Sequence, residues 1–156
     1  MIAMANDKDQ IHLEVGRALN VVTASLGYKT FEMIHREYKD VEEKFIAICD
    51  DSDLQLYIRQ NVSERIFGDA VAKNCASNDL EYYYSAAAEL GFSDVNPRIS
   101  STILYCQSLI LNDRSDKAKR LLEDLLNYLT KIEEANPGVF PQDTFDFLGS
   151  QLSKCE

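Results

Sequence analysis

The chain has 156 residues, of which 16 are Lys or Arg and 26 are Asp or Glu, so its formal net charge at pH 7 is -10. Hydrophobic residues make up 46% of the sequence, and this share excludes disordered acidic tails and collagen-like chains. The acidic balance also argues against direct nucleic-acid binding, because proteins that bind the phosphate backbone are usually basic. We expect one domain over residues 1–156, with residues 1–8 as a flexible N-terminus.

No apolar run approaches the roughly 20 residues that a membrane-spanning helix needs, and no basic segment followed by an apolar one opens the sequence. These observations predict a cytoplasmic, unprocessed protein without a membrane partner. The cysteines are Cys49, Cys75, Cys106 and Cys155, and no two of them have the close C-x-x-C spacing of zinc and redox motifs. We predict that they are buried free thiols.

Apolar residues recur at spacings of three and four along most of the chain, which is the pattern of an amphipathic α-helix. Alternating strand patterns and Asn-Gly or Asp-Gly hairpin turns are missing from the sequence. The fold class predicted is therefore all-α, a single-domain bundle of six or seven amphipathic helices arranged as antiparallel helical hairpins. The predicted helices run through Ile11 to Leu26, Thr30 to Cys49, Ser52 to Ala70, Asn78 to Leu90, Pro97 to Leu111, Ser115 to Ala135 and Pro141 to Leu152.

Helix ends are predicted from capping chemistry. Ser52 and Gln55 have the spacing of a capping box, and so do Asn78 and Glu81. Glycine following an apolar run is typical of a helix C-terminus, as at Gly91. The loop from 91 to 97 that this glycine opens is the nearest candidate for a domain boundary.

Two acid-x-x-His pairs could place a carboxylate and an imidazole on one helix face, a geometry that metal sites in helical bundles use. They are Asp9 with His12 and Glu32 with His35. Each pair lies near the start of its helix, and an antiparallel arrangement of the first two helices would keep the starts apart. We therefore predict no metal and no cofactor. The sequence also lacks a nucleophile elbow and a phosphate-binding glycine loop, so we predict no catalytic residues.

Residues 74–97 contain no Lys or Arg but several acids, and three consecutive tyrosines lie among them. Successive helical residues are about 100° apart, so one narrow buried face cannot hide all three rings. Exposed aromatic side chains ringed by charge are typical of protein interfaces. The predicted partner-binding residues are Asp79, Glu81, Tyr82, Tyr83, Tyr84 and Glu89.

These observations favour a non-catalytic protein-binding module that recognises a basic protein partner. An acidic adaptor, a chaperone and an immunity or inhibitor-type protein all fit this description, and the sequence does not choose among them. The alternative is a helical enzyme or metal-binding bundle that uses His12, His35 and nearby carboxylates.

Overall fold

The computed structural model describes residues 8–156, which form seven helices and no strand. The all-α prediction is thus confirmed for this part of the chain. The helices are α1 (Lys8–Ala24), α2 (Phe31–Ala47), α3 (Ser52–Ala72), α4 (Ser77–Leu90), α5 (Val95–Leu111), α6 (Ser115–Ala135) and α7 (Gln142–Ser153).

The start of α3 is capped one residue earlier than the sequence predicts. Asp51, not Ser52, is the N-cap, and its side chain accepts a hydrogen bond of 2.9 Å from the backbone N–H of Leu54. The Gln55 side chain donates to the carbonyl of Cys49 at 2.6 Å. Asp and Ser are both good N-caps, so the acidic run before α3 offers neighbouring candidates that spacing cannot separate.

The predicted cap of α4 is also displaced, because the helix begins at Ser77 after Ala76, which makes no side-chain cap hydrogen bond. The end of α4 agrees with the prediction: Gly91 follows it with φ +81°, a conformation that favours glycine. The next helix starts at Val95, two residues earlier than predicted. Pro97 fits inside its first turn, since proline lacks only an N–H that has no partner there.

Packing within the chain groups the residues into two compact units, one ending at Pro97 and the other running over Arg98–Glu156. Their boundary falls in the first turn of α5, at the end of the loop that the sequence marks as the nearest candidate. That residues 1–156 form one domain stays a prediction. Residues 1–7 of the predicted flexible N-terminus lie outside the described residues, whereas Lys8 opens α1 and pairs with Asp51 at 2.6 Å.

In the first unit, α3 contacts α1, α2 and α4. Contacts between α1 and α3 advance in the same direction along both helices: Lys8 meets Asp51, and further along Arg65 donates to Thr23. The two helices are therefore parallel. The helix that connects them in the chain, α2, runs antiparallel to both. By contrast, α4 is antiparallel to α3, because the Gln60 amide reaches the carbonyl of Leu90 at 3.2 Å. It follows that α2 and α4 are parallel to each other.

A buried polar network joins three helices of this unit. Tyr38 of α2 is fully buried and donates a hydrogen bond of 2.5 Å to Oδ2 of Asp69 on α3. The Tyr38 hydroxyl also lies 2.6 Å from Oγ1 of Thr23 on α1, which accepts from Arg65 Nη1 at 3.1 Å. Polar groups removed from water destabilise a fold unless they are hydrogen-bonded. The network therefore fixes the relative positions of these helices.

The second unit contains an antiparallel pair, α5 and α6. The Arg98 guanidinium lies 3.7 Å from the ring centre of Tyr128, and at the other end the Cys106 thiol donates to the carbonyl of Ala118 at 3.6 Å. A cation above an aromatic face is held by the ring quadrupole. In the last turn of α6, the Glu133 carboxylate accepts backbone N–H bonds from Gly138 and Phe140, which shapes the turn into α7.

Among the described residues, no helix combines the length and the apolar character that crossing a membrane requires.

Candidate functional site

The first unit has a groove between α2 and α4, which we call the α2–α4 groove. It consists of two adjoining clefts. The larger, of about 540 Å³, is lined by Phe31, Glu32, His35, Arg36, Lys39, Cys75, Asp79 and Tyr83. The smaller, of about 150 Å³, is lined by His35, Lys39, Ser63, Ile66, Tyr82, Tyr83 and Ala86.

The groove has a simple construction in terms of the helices. Both α2 and α4 pack on α3, so the surface of α3 between them becomes the floor. Ser63 and Ile66 provide that floor in the smaller cleft. His35, Lys39 and Tyr83 line both clefts, so the two clefts adjoin on either side of these residues. Concave sites of this kind, walled by helices, are common positions for ligands and partner segments.

Four aromatic rings meet along the groove. The Tyr83 ring centre lies 5.4 Å from that of Phe31, 5.6 Å from that of His35 and 5.3 Å from that of Tyr82. The contacts with Phe31 and Tyr82 are edge-to-face, the arrangement that the ring quadrupoles favour. Tyr83 therefore ties the aromatic residues of α2 to the exposed ring of α4.

The three consecutive tyrosines have three different environments. Tyr82 is 68% exposed, Tyr83 is half-buried, and Tyr84 is 8% exposed. The prediction that at least one ring is exposed is thus confirmed. The prediction that Tyr84 belongs to the binding surface is wrong, because this residue faces the core. Its ring centre lies 5.6 Å from that of Phe67 and 6.1 Å from that of Phe92.

The predicted acidic residues of α4 differ in exposure and in the side of the helix on which they lie. Asp79 and Glu89 are exposed, and Glu81 is half-buried. Asp79 is one turn before Tyr83, and Glu89 is two turns after Tyr82, so each carboxylate shares a face with one of these rings. The structure therefore places the two exposed acids on the same faces as the two accessible tyrosines. Glu81 lies about 100° from Tyr82, on the side away from the groove.

The groove is not uniformly acidic, although residues 74–97 contain no Lys or Arg. Arg36 and Lys39 approach from α2, and Lys39 pairs with Glu42 at 3.3 Å. Charge counting along the sequence missed these two bases because they lie more than a helix away in the chain. One wall of the groove, on α4, is acidic, whereas the opposite wall carries both signs.

Two groups in the larger cleft have shifted pKa values. Burial lowers the pKa of His35, and the nearby Lys39 ammonium lowers it further. Burial raises the pKa of the Cys75 thiol, and the carboxylates of Asp79 and Glu32 raise it further. Both groups are therefore held neutral near pH 7. A thiolate–imidazolium pair, which cysteine nucleophiles use, is disfavoured in this cleft.

The two histidines have different ring neighbours. His12 lies 4.2 Å from the ring centre of Tyr57, whereas His35 belongs to the aromatic cluster of the groove. Within residues 8–156, no cluster of three or more His, Cys, Asp or Glu side chains is arranged to hold a metal ion. His35 lines the groove on the α2 side and contacts Tyr83, a position that residue spacing alone did not predict.

The cysteines are free thiols, but only part of the prediction about them is confirmed. Cys49 and Cys106 are buried, whereas Cys75 and Cys155 are half-buried. Burial raises the pKa of Cys106 to about 12. Of the four, Cys75 is the one that lines the groove.

The groove residues that sequence reasoning missed are Phe31, Arg36, Lys39, Ser63, Ile66 and Ala86. Phe31 and Ile66 fit the three-and-four apolar spacing of their helices, and that spacing does not distinguish a core residue from one that lines a cleft.

In comparisons with known proteins, the chain matches no family model, no curated protein and no solved structure.

Proposed function

We propose that this chain is a non-catalytic protein-binding module, and that it recognises a basic protein partner through the outer face of α4 and the adjoining α2–α4 groove. The binding residues in this proposal are Asp79, Tyr82, Tyr83 and Glu89, because Glu81 and Tyr84 of the predicted set lie away from the groove. The observation that carries it is the 68% exposure of Tyr82 directly beside the groove.

Tyrosine gives a large contact area at a small entropic cost, and it is enriched where proteins bind each other. Tyr82 stands edge-on to Tyr83, a contact that favours this orientation of its ring before a partner arrives. A partner that covers the ring removes its apolar surface from water while its hydroxyl keeps a hydrogen bond. Burying such a prearranged ring costs little conformational entropy on binding.

The acidic charge supports a basic partner. Asp79 and Glu89 are exposed on the same faces as the two accessible tyrosines, and the whole chain carries a net charge of -10. Complementary charge accelerates encounter and excludes partners of the same sign. An adaptor, a chaperone and an inhibitor would all use such a face, and the identity of the partner decides among them. A cytoplasmic location is part of the proposal, supported by four cysteines that remain free thiols.

Site-specific photocrosslinking tests this proposal directly. A benzophenone amino acid replaces Tyr82 in the full chain, and the protein is irradiated in cells of its source organism. We expect one predominant crosslinked protein with a basic surface. Tyr28 is the matched control because it is 79% exposed and lies outside the groove. Equal crosslinking patterns at the two positions would contradict the proposal.

The alternative, an enzyme or metal protein, has one observation in its favour: His35 and Cys75 line the same cleft. Elemental analysis of the purified protein distinguishes it from a binding module. Near-stoichiometric zinc, iron or manganese that is lost on replacing His12 or His35 would support this alternative.

A further inference from the structure

The shape of the α2–α4 groove restricts what a bound partner can look like. Its walls and floor are three helices, whose backbone N–H and C=O groups are hydrogen-bonded within each helix except near the ends. Such walls offer no unpaired edge to which an extended segment could add as a strand. A segment in the groove receives no strand-like backbone partner from these walls, so its backbone groups pair within the segment or with water. Among regular conformations an α-helix pairs them within itself.

The smaller cleft fits one aromatic ring. An apolar cavity of about 150 Å³ is large enough to hold benzene, and this cleft has a volume of about 150 Å³. Ile66 and Ser63 form its floor, Ala86 and the two tyrosine rings line one side, and His35 and Lys39 add polar atoms on the other. A ring placed there would contact Tyr82 and Tyr83 in the edge-to-face or offset geometry that aromatic pairs prefer.

The charges on the two walls fix which way the helix faces. Asp79 and Glu89 lie on α4, and they would attract a basic residue on the side of the bound helix that faces α4. Asp79 precedes the level of the smaller cleft by one to two turns of α4. The basic residue therefore lies one to two helical turns from the aromatic anchor. Arg36 and Lys39 on the opposite wall favour an acidic or polar residue on the other side.

We propose that the α2–α4 groove binds an amphipathic helix of the partner protein, with one aromatic side chain inserted over Ile66 and a Lys or Arg one to two turns away that pairs with Asp79. This inference rests on the proposed function, because it specifies the partner segment that the Tyr82 face recognises. A helix satisfies its own backbone, and its aromatic and basic side chains complement the smaller cleft and the two walls.

Selection from a displayed peptide library tests the inference with the full chain as bait. The probes are fully randomised peptides of about 20 residues, a length that lets a helix form because isolated helices shorter than about 12–15 residues are marginal. Randomising every position allows helical, extended and proline-rich binders to compete. We expect enriched sequences to share a Phe, Tyr or Trp with a Lys or Arg one to two turns away. Circular dichroism should show that these peptides gain helix on binding.

Variants of the bait locate the bound peptide. Ala86→Arg fills the smaller cleft, and Asp79→Lys reverses the charge that pairs with the base. Each should weaken binding of an enriched peptide at least about tenfold, which is about 1.4 kcal/mol, while Tyr28→Ala should leave the affinity within about twofold. Asp79 is exposed, so Asp79→Lys should leave the fold intact. The test therefore remains valid if Ala86→Arg disturbs folding.

The possible failures are distinguishable. If Tyr82 crosslinks a natural partner but the library enriches no helix, or enriches helices that ignore both bait variants, the helical inference is overturned and the proposed function stands. Enrichment of proline-rich or extended peptides would overturn it in the same way. If Tyr82 crosslinks nothing that Tyr28 does not, and no peptide is selected, both are overturned.

Discussion

The hydroxyl of Tyr38 donates a 2.5 Å hydrogen bond to Oδ2 of Asp69, across the interface of α2 and α3. Both residues are buried, and Tyr38 is fully so. Burial raises the pKa of each, so the tyrosine stays protonated and remains a donor well above neutral pH. This contact holds together the two helices that form one wall and the floor of the α2–α4 groove.

Replacing Tyr38 by Phe should lower the free energy of unfolding by about 1–3 kcal/mol. The substitution keeps the ring but leaves the buried Asp69 carboxylate without this donor, and an unpaired buried acceptor is expensive. Urea unfolding followed by circular dichroism measures the change. Tyr28→Phe removes a hydroxyl from a 79% exposed ring and should change stability by less than about 0.5 kcal/mol. Equal stability of the two variants would show that the hydrogen bond contributes nothing.

Asp69→Asn should gain stability relative to the unmodified protein as the pH rises. The pKa of Asp69 in the fold lies above its ordinary value of 3.8, chiefly because of burial. The folded protein thus binds this proton more tightly than the unfolded chain does. Proton binding at Asp69 therefore stabilises the fold fully below pH 3.8, and this stabilisation is lost as the pH rises through the raised pKa. Asparagine has no proton to lose there but keeps an acceptor for Tyr38. A stability difference that stays constant from about pH 3 to pH 7 would exclude this linkage.

Much of the fold could be predicted from the sequence because each helix carries its own signal. The three-and-four spacing of apolar residues locates each helix within a few residues, as at Ser115–Ala135, where prediction and structure coincide. Caps were predicted less well. At α3, Asp51 and Ser52 are similarly good N-cap residues, and which of them caps the helix depends on backbone geometry that residue spacing does not show.

The candidate site could be predicted only on α4. Helical geometry alone requires one of three consecutive tyrosines to be exposed, but which one depends on how α4 packs against α3. The opposite wall could not be predicted, because Arg36 and Tyr83 lie far apart in sequence and line the same cleft only after both helices pack on α3. Local charge counting therefore described the composition of α4 correctly and missed the bases beside it.

Two glycine substitutions should change stability in opposite directions. Gly91 has φ +81° and ψ 154°, so Gly91→Ala should cost about 1–3 kcal/mol. An added Cβ there would lie 3.6 Å from the Gln60 side chain, an ordinary contact, so the cost is conformational. Gly16 lies inside α1 with nothing within 4 Å of an added Cβ, and Gly16→Ala should stabilise by roughly 0.5–1 kcal/mol. Thermal unfolding of the two variants checks both signs, and a stabilising Gly91→Ala would contradict the assigned conformation.

Cys75 should react with iodoacetamide more slowly at pH 7 than a free cysteine does, because burial and the carboxylates of Asp79 and Glu32 raise the pKa of its thiol. Peptide mapping by mass spectrometry measures the labelling of this site alone. Asp79→Asn removes one of these charges and should accelerate labelling, whereas Glu43→Gln on the outer side of α2 should not. Labelling faster than that of the free amino acid would indicate an activated thiol and would favour the enzyme alternative.

Reversing one charge on α4 should slow binding of the partner captured through Tyr82, whereas removing the ring should shorten the lifetime of the complex. Glu89→Lys reverses an exposed charge on the same face as Tyr82, and over a Debye length of about 8 Å at physiological salt this weakens the steering of a basic protein. Tyr82→Ala removes buried contact area, which acts mainly on the dissociation rate. Surface plasmon resonance at several salt concentrations separates the two rates. Glu43→Lys makes the same charge change on an exposed position of α2, and it should have the smaller effect. If Glu89→Lys and Tyr82→Ala both leave the affinity within about threefold, or less than about 0.7 kcal/mol, while circular dichroism shows an intact fold, the partner binds elsewhere.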